Sequence, residues 1–202
     1  MLTLQTTIQA GQICMSTELV IVVEKVADKF RAELQKAASK LCDTPYKLIS
    51  PQSALRLRKL AADAASKDGK ITSAPMPEEI EHEGDSVPFQ IIEDVRPAMD
   101  FFLQESFGPM LGVMEVSTEE EAIEFINSSE YGLSSAIWTR DHYRALRLAR
   151  KLDVSAIHIN GSTVHDEATL PHGGTKSSGF GRFGGEWGLL EFVQTQTVIL
   201  NP

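Results

Sequence analysis

Two periodicities alternate along this chain. Leu19-Val20-Ile21-Val22-Val23 is an unbroken, largely β-branched run and predicts a strand buried on both faces. Over residues 26–41 the apolar positions Val26, Phe30, Leu34, Ala37 and Leu41 return at helical spacing, with Lys and Glu between them. A second helix is predicted over 53–66, where Leu55, Leu57, Leu60 and Ala64 carry the pattern and Asp68-Gly69 stops it. Further on the alternation is regular. Met110–Val116 predicts a strand, and 118–129 a helix with Ser117 or Thr118 as N-cap and Glu119, Glu120 and Glu121 in the first turn. A strand over 133–139, a helix over 141–151 and a strand over 154–160 follow. Strand and helix alternating through short connections indicates an α/β layer with parallel pairing.

Four stretches fall outside this rhythm. Residues 1–17 predict a short helix or helix end that carries Cys14. Residues 72–90 hold Pro75, Pro77, Gly84, Pro88 and an acidic run from Glu78 to Glu83, which predicts a surface loop or insertion. Residues 173–188 are Gly-rich, and the chain ends in an apolar run over 192–200 that reads as a strand with no partner behind it. The Gly-rich segment does not sit between a strand and a helix of a βαβ unit, so its glycines suit tight turns better than a phosphate cradle.

Composition narrows the function classes. At 202 residues, with 42% hydrophobic and 23% charged residues, the chain can bury a real core as one or at most two domains. A formal net charge of −9, with no Lys/Arg-rich run, disfavours nucleic acid or an anionic membrane as partner. Cys14 and Cys42 are the only cysteines and neither lies in a CxxC pair, which argues against a disulfide framework or a cysteine-built zinc site. The five histidines show no metal-ligand spacing, so no metal is expected. No apolar run reaches membrane-spanning length and residues 1–7 lack the features of a signal peptide, so the expected location is the cytosol.

A cysteine alone is usually a small buried hydrophobe, but Cys14 has company. Gly11-Gln12-Ile13-Cys14 resembles the nucleophile motif of the aldehyde dehydrogenase superfamily. Glu105-Ser106-Phe107-Gly108-Pro109 resembles that family's Glu-x-Phe-Gly-Pro element, and Tyr131-Gly132-Leu133 its Tyr-Gly-Leu strand entry. The stretch from Pro171 to Arg182 resembles its Pro-Phe-Gly-Gly-x-Lys-x-Ser-Gly-x-Gly-Arg segment. The four occur in the family's order. Gly11 to Glu18, Ile159 to Glu167 and Gly181-Arg182-Phe183-Gly184-Gly185 are most similar to the salicylaldehyde and vanillin dehydrogenase branch, which oxidises aromatic aldehydes.

The resemblance implies a fold and a chemistry. The fold is the family's three-layer α/β catalytic domain over residues 1–189, followed by an oligomerisation arm over 190–202 and lacking the Rossmann coenzyme domain. Cys14 falls on the nucleophile, whose thiolate attacks the aldehyde carbon and is later released from a thioester by water. Glu105 falls where a carboxylate binds the nicotinamide ribose hydroxyls of NAD or NADP, and Phe107 where an aromatic ring packs beside the nicotinamide. The loop 162–170 corresponds to the substrate-facing loop, where His165 and Asp166 either line the aldehyde pocket or are simply solvated. His172 stands where the family usually has Phe. The family's Glu-Leu-Gly-Gly carboxylate and upstream Asn oxyanion donor have no counterpart here, which leads to an expectation of little or no turnover by the isolated chain. Three alternatives stay open: an aldehyde dehydrogenase working with a partner, a non-catalytic homologue acting by association, and an incomplete gene model. The terminal strand implies a homo-oligomer, or a hetero-oligomer with full-length relatives; a strand closing the domain's own sheet is the competing expectation.

Overall fold

Five branched or long apolar side chains in succession need cover on both faces, and the fold supplies it. In the computed structural model, which describes residues 6–40, 45–74 and 84–202, Leu19–Val23 forms strand β1 and pairs in parallel with Met110–Val116 (β6), Leu19 facing Gly112 and Val23 facing Val116. Gln90–Glu93 (β5) lies parallel on the far side of β6, and Lys70–Ser73 (β3) closes the sheet antiparallel to β5. The order is β1-β6-β5-β3.

Side-chain alternation along these strands divides the core into two layers. Ile92, Met110, Met114 and Val116 point to one face, where Ala54, Leu57, Leu60 and Ala64 of helix α2 (Pro51–Ser66) meet them. Ala122 and Phe125 of helix α4 (Glu119–Ser128) pack against the same cluster. Val22, Ile91, Leu111 and Val113 point the other way, onto Ala27 and Leu34 of helix α1 (Glu24–Ala38). Helix, sheet and helix make the three layers implied by the resemblance. A short helix, α3 (Asp100–Leu103), sets Phe101 into the first cluster.

A second unit carries the loop 162–170. Ser134–Ile137 (β8) and Ala156–Ile159 (β9) pair in parallel, joined through helix α5 (His142–Ala149). Tyr131–Gly132 (β7) pairs with Thr175–Lys176 (β10), Tyr46–Lys47 (β2) with Ser86–Val87 (β4), and Gly185–Leu190 forms the last helix, α6.

Several elements depart from the sequence reading. Cys14 is not on a helix: a 3₁₀ turn over Ile8–Gly11 precedes it, and it stands on the next turn. Residues 72–90 are not loop throughout, because β3 reaches Ser73, β5 begins at Gln90, and Ser86, Val87 and Phe89 are buried between them. Large apolar side chains are sparse there and follow no regular spacing, so periodicity had nothing to register. The acidic run, Cys42 and Leu41 lie outside the described residues. The terminal run is not a strand of the chain's own sheet: residues 192–202 pair with no strand among the described residues, with Phe192 92% and Leu200 90% exposed. Among the described residues no helix is long and apolar enough to cross a membrane.

Candidate functional site

The turn that carries Cys14 is held from both sides. Gln9, Ala10 and Gly11 all take positive φ, 49°, 58° and 72°, and the amide of Ser16 donates to the carbonyl of Ile13 at 2.8 Å across Cys14 and Met15. Gln12 brackets the turn: its side-chain oxygen accepts from the amide of Ile49 at 2.9 Å, while its Nε2 donates to the carbonyl of Gln9. Gly11 is required twice over, since a Cβ there would run into the carbonyl of Gly108 and sit 2.8 Å from that of Thr6. The Gly-Gln pair therefore sets the backbone on which Cys14 stands exposed.

That contact also brings the second motif to the first. Gly108 abuts Gly11, and its own hydrogen faces Leu57 of α2 so tightly that a Cβ would collide with it. Glu105 is exposed, Ser106 is fully buried, and Phe107 is half-buried in a left-handed conformation, φ 49°. Glu18, just before β1, accepts from the Ser106 amide and hydroxyl at 2.9 Å each and from the Phe107 amide at 2.8 Å. Burial pushes the Glu18 carboxyl above its ordinary pKa, against these three bonds, which pull it down.

The third piece is the loop 162–170. The hydroxyls of Thr17 and Thr163 meet at 2.8 Å and tie it to the Cys14 segment. A small cavity of about 60 Å³ opens beside Met15, with His158, His165, Asp166, Leu133 and His172 among its lining. His165 is exposed, 3.4 Å from Glu167 through Nε2, and its ring meets that of His158 edge-on at 6.0 Å. Asp166 lies 3.2 Å from Nδ1 of His172, whose ring packs on Phe183 at 4.8 Å. His158 Nε2 is buried without a hydrogen-bond partner, and burial, then the neighbouring His165, pull its pKa down. Among the described residues no three His, Cys, Asp or Glu side chains are grouped to hold a metal ion.

Cys14, the Glu105–Phe107 segment and the His165–Asp166 loop thus come from three distant stretches and meet around one short turn. The aldehyde dehydrogenase family model matches residues 2–198. The chain belongs to the aldehyde dehydrogenase family. It is 38% identical over 201 residues to the salicylaldehyde dehydrogenase of Pseudomonas sp. (strain C18), covering 95% of this chain and 41% of the relative. To the vanillin dehydrogenase of Pseudomonas fluorescens it is 39% identical over 199 residues, covering 95% and 40%. The crystal structure of a salicylaldehyde dehydrogenase from Pseudomonas putida G7, complexed with salicylaldehyde, superposes with a TM-score of 0.86 at 36% identity over 94% of this chain and 40% of that one. This aldehyde dehydrogenase chain spans about two fifths of the length of these relatives.

Glu18, Arg56, His158 and the Thr17–Thr163 pair escape a reading of the sequence. Glu18 lies inside the nucleophile stretch, but its partners are 88 and 89 positions away. No local spacing signals such a bond.

Proposed function

We propose that this chain carries the thiol half of an aldehyde oxidation, with Cys14 as nucleophile, and that its substrate class is an aromatic aldehyde. The observation that supports this best is the seating of Gly11 on Gly108, which puts the exposed thiol's turn against the segment bearing Glu105 and Phe107. Cys14 adds to the carbonyl carbon to give a thiohemiacetal, and water later hydrolyses the thioester to the acid and frees the thiol. The Cys14 amide is the oxyanion donor this chain offers.

The chain's residues suit a nicotinamide coenzyme, NAD or NADP. Glu105 holds an exposed carboxylate able to accept from two ribose hydroxyls, and Phe107 offers a half-exposed ring beside it. When bound, the nicotinamide supplies the hydride acceptor. His165 and Asp166 reach the cavity beside Met15, which supports their place at the substrate. Salicylaldehyde bound to a relative of the same fold supports the aromatic class.

A second reading rests on the exposed terminal run: a homologue acting by association, either with itself or with full-length relatives. An activated ester separates the two, because acyl transfer to a thiol needs no hydride acceptor. On p-nitrophenyl acetate the protein should release about one equivalent of nitrophenolate in a burst and gain one acetyl group at Cys14 by mass spectrometry, with neither in Cys14→Ala. Acetylation no faster than that of a free thiol would remove the catalytic reading.

A further inference from the structure

Two side chains far apart in the sequence hold the main chain of the Glu105–Phe107 segment. The carboxylate of Glu18 accepts from the amides of Ser106 and Phe107 and from the Ser106 hydroxyl. The guanidinium of Arg56, on α2, donates one nitrogen to the carbonyl of Glu105 and another, at 2.6 Å, to that of Ser106. Four main-chain groups in three residues are satisfied by one acceptor-only and one donor-only side chain. Ser106 is fully buried in a segment with no strand partner among the described residues, so the two side chains meet main-chain groups that no sheet bond satisfies. Burial acts against the Glu18 charge, as its raised pKa shows, and three donors keep it in place.

We propose that Glu18 and Arg56 are positioning residues that preset the coenzyme-facing edge relative to the nucleophile. They hold Phe107 at its left-handed φ and leave Glu105 turned to solvent. Glu18 follows Cys14 by four residues, so one short stretch carries both the thiol and the carboxylate that fixes the facing segment. The inference rests on Glu105 and Phe107 facing the coenzyme, as proposed above.

The test uses the full 202-residue protein and two NMR readouts. In Glu18→Gln the amides of Ser106 and Phe107 should exchange with solvent about 10- to 100-fold faster, the worth of lost bonds to a charged group, while β6 amides keep their rates. Arg56→Met should loosen the same two amides. If Glu18→Gln does not fold, Ser106→Ala removes a single donor and should still speed exchange at Phe107 several-fold. Unchanged rates at 106 and 107 in these variants overturn the clamp. The second readout is nicotinamide mononucleotide, which carries the ribose and ring without the adenosine half. It should shift the Glu105 and Phe107 amides in the wild type and shift them less in Glu18→Gln. Equal shifts in both proteins overturn the positioning role. Faster exchange with no response in the wild type leaves a clamp of the fold alone and overturns the coenzyme assignment itself.

Discussion

His158 has no hydrogen-bond partner for its buried Nε2, and it faces another imidazole. Burial and His165 both disfavour its protonated form in the fold. In the unfolded chain the same imidazole protonates near ~6.5. The unfolded state therefore takes up a proton first as pH falls, so His158's contribution is full above the ordinary imidazole value and shrinks from there toward the depressed one. The urea midpoint of the wild type should drop more between pH 7 and pH 5 than that of His158→Phe. Parallel pH profiles for the two proteins would show that this imidazole is not suppressed. At the same scale Cys14 stood out in the sequence as a candidate because it lies in one of four motifs that occur in the family's order. His158 was not, since only the fold shows that its strand position turns it under Met15.

Helix α4 shows how elements are fixed at their ends. Thr118 caps the start, accepting from the Glu121 amide at 3.1 Å, while the Glu121 carboxylate reaches back to accept from the Ser117 amide, just before the cap, at 2.8 Å. The other end is closed from far away in sequence: Lys176 donates to the carbonyls of Asn127 and Ser129 at 3.1 and 3.0 Å. Its side chain is only 19% exposed. Removing this charge in Lys176→Met should cost about 1–2 kcal/mol by urea unfolding, the upper range for a partly buried cation at a helix C-terminus. Lys36, in the last turn of α1 and well exposed, should cost less than about 0.5 kcal/mol in the same substitution. Equal losses at the two sites would remove Lys176 as the cap. The Thr118 cap was readable from Thr-x-x-Glu before an apolar run; the Lys176 cap was not, because its partners lie 47 and 49 residues away.

At the scale of the whole molecule the terminal segment is the unfinished surface. Residues 192–202 carry Phe192, Val193, Val198, Ile199 and Leu200 in solvent and contribute nothing to either core cluster. This apolar, exposed run is the surface on which the proposed association rests. A protein ending at Glu191 should keep its unfolding free energy within about 0.5 kcal/mol, yet sediment as a monomer where the full chain associates. Identical sedimentation of the two would leave the segment without that role.

The sequence by itself determined the family, the alternation of strand and helix, and the candidate position, Cys14, for the proposed nucleophile. Those rest on local periods and on short motifs in a fixed order, which survive without knowledge of distant contacts. Only the tertiary structure decided that Gly11 seats on Gly108, that Glu18 and Arg56 grip one buried segment, and that β3 and β5 take the two ends of the 72–90 stretch into the sheet. Each of these joins residues far apart in the chain, and a charged or small side chain looks the same in sequence whether it meets water or a distant backbone.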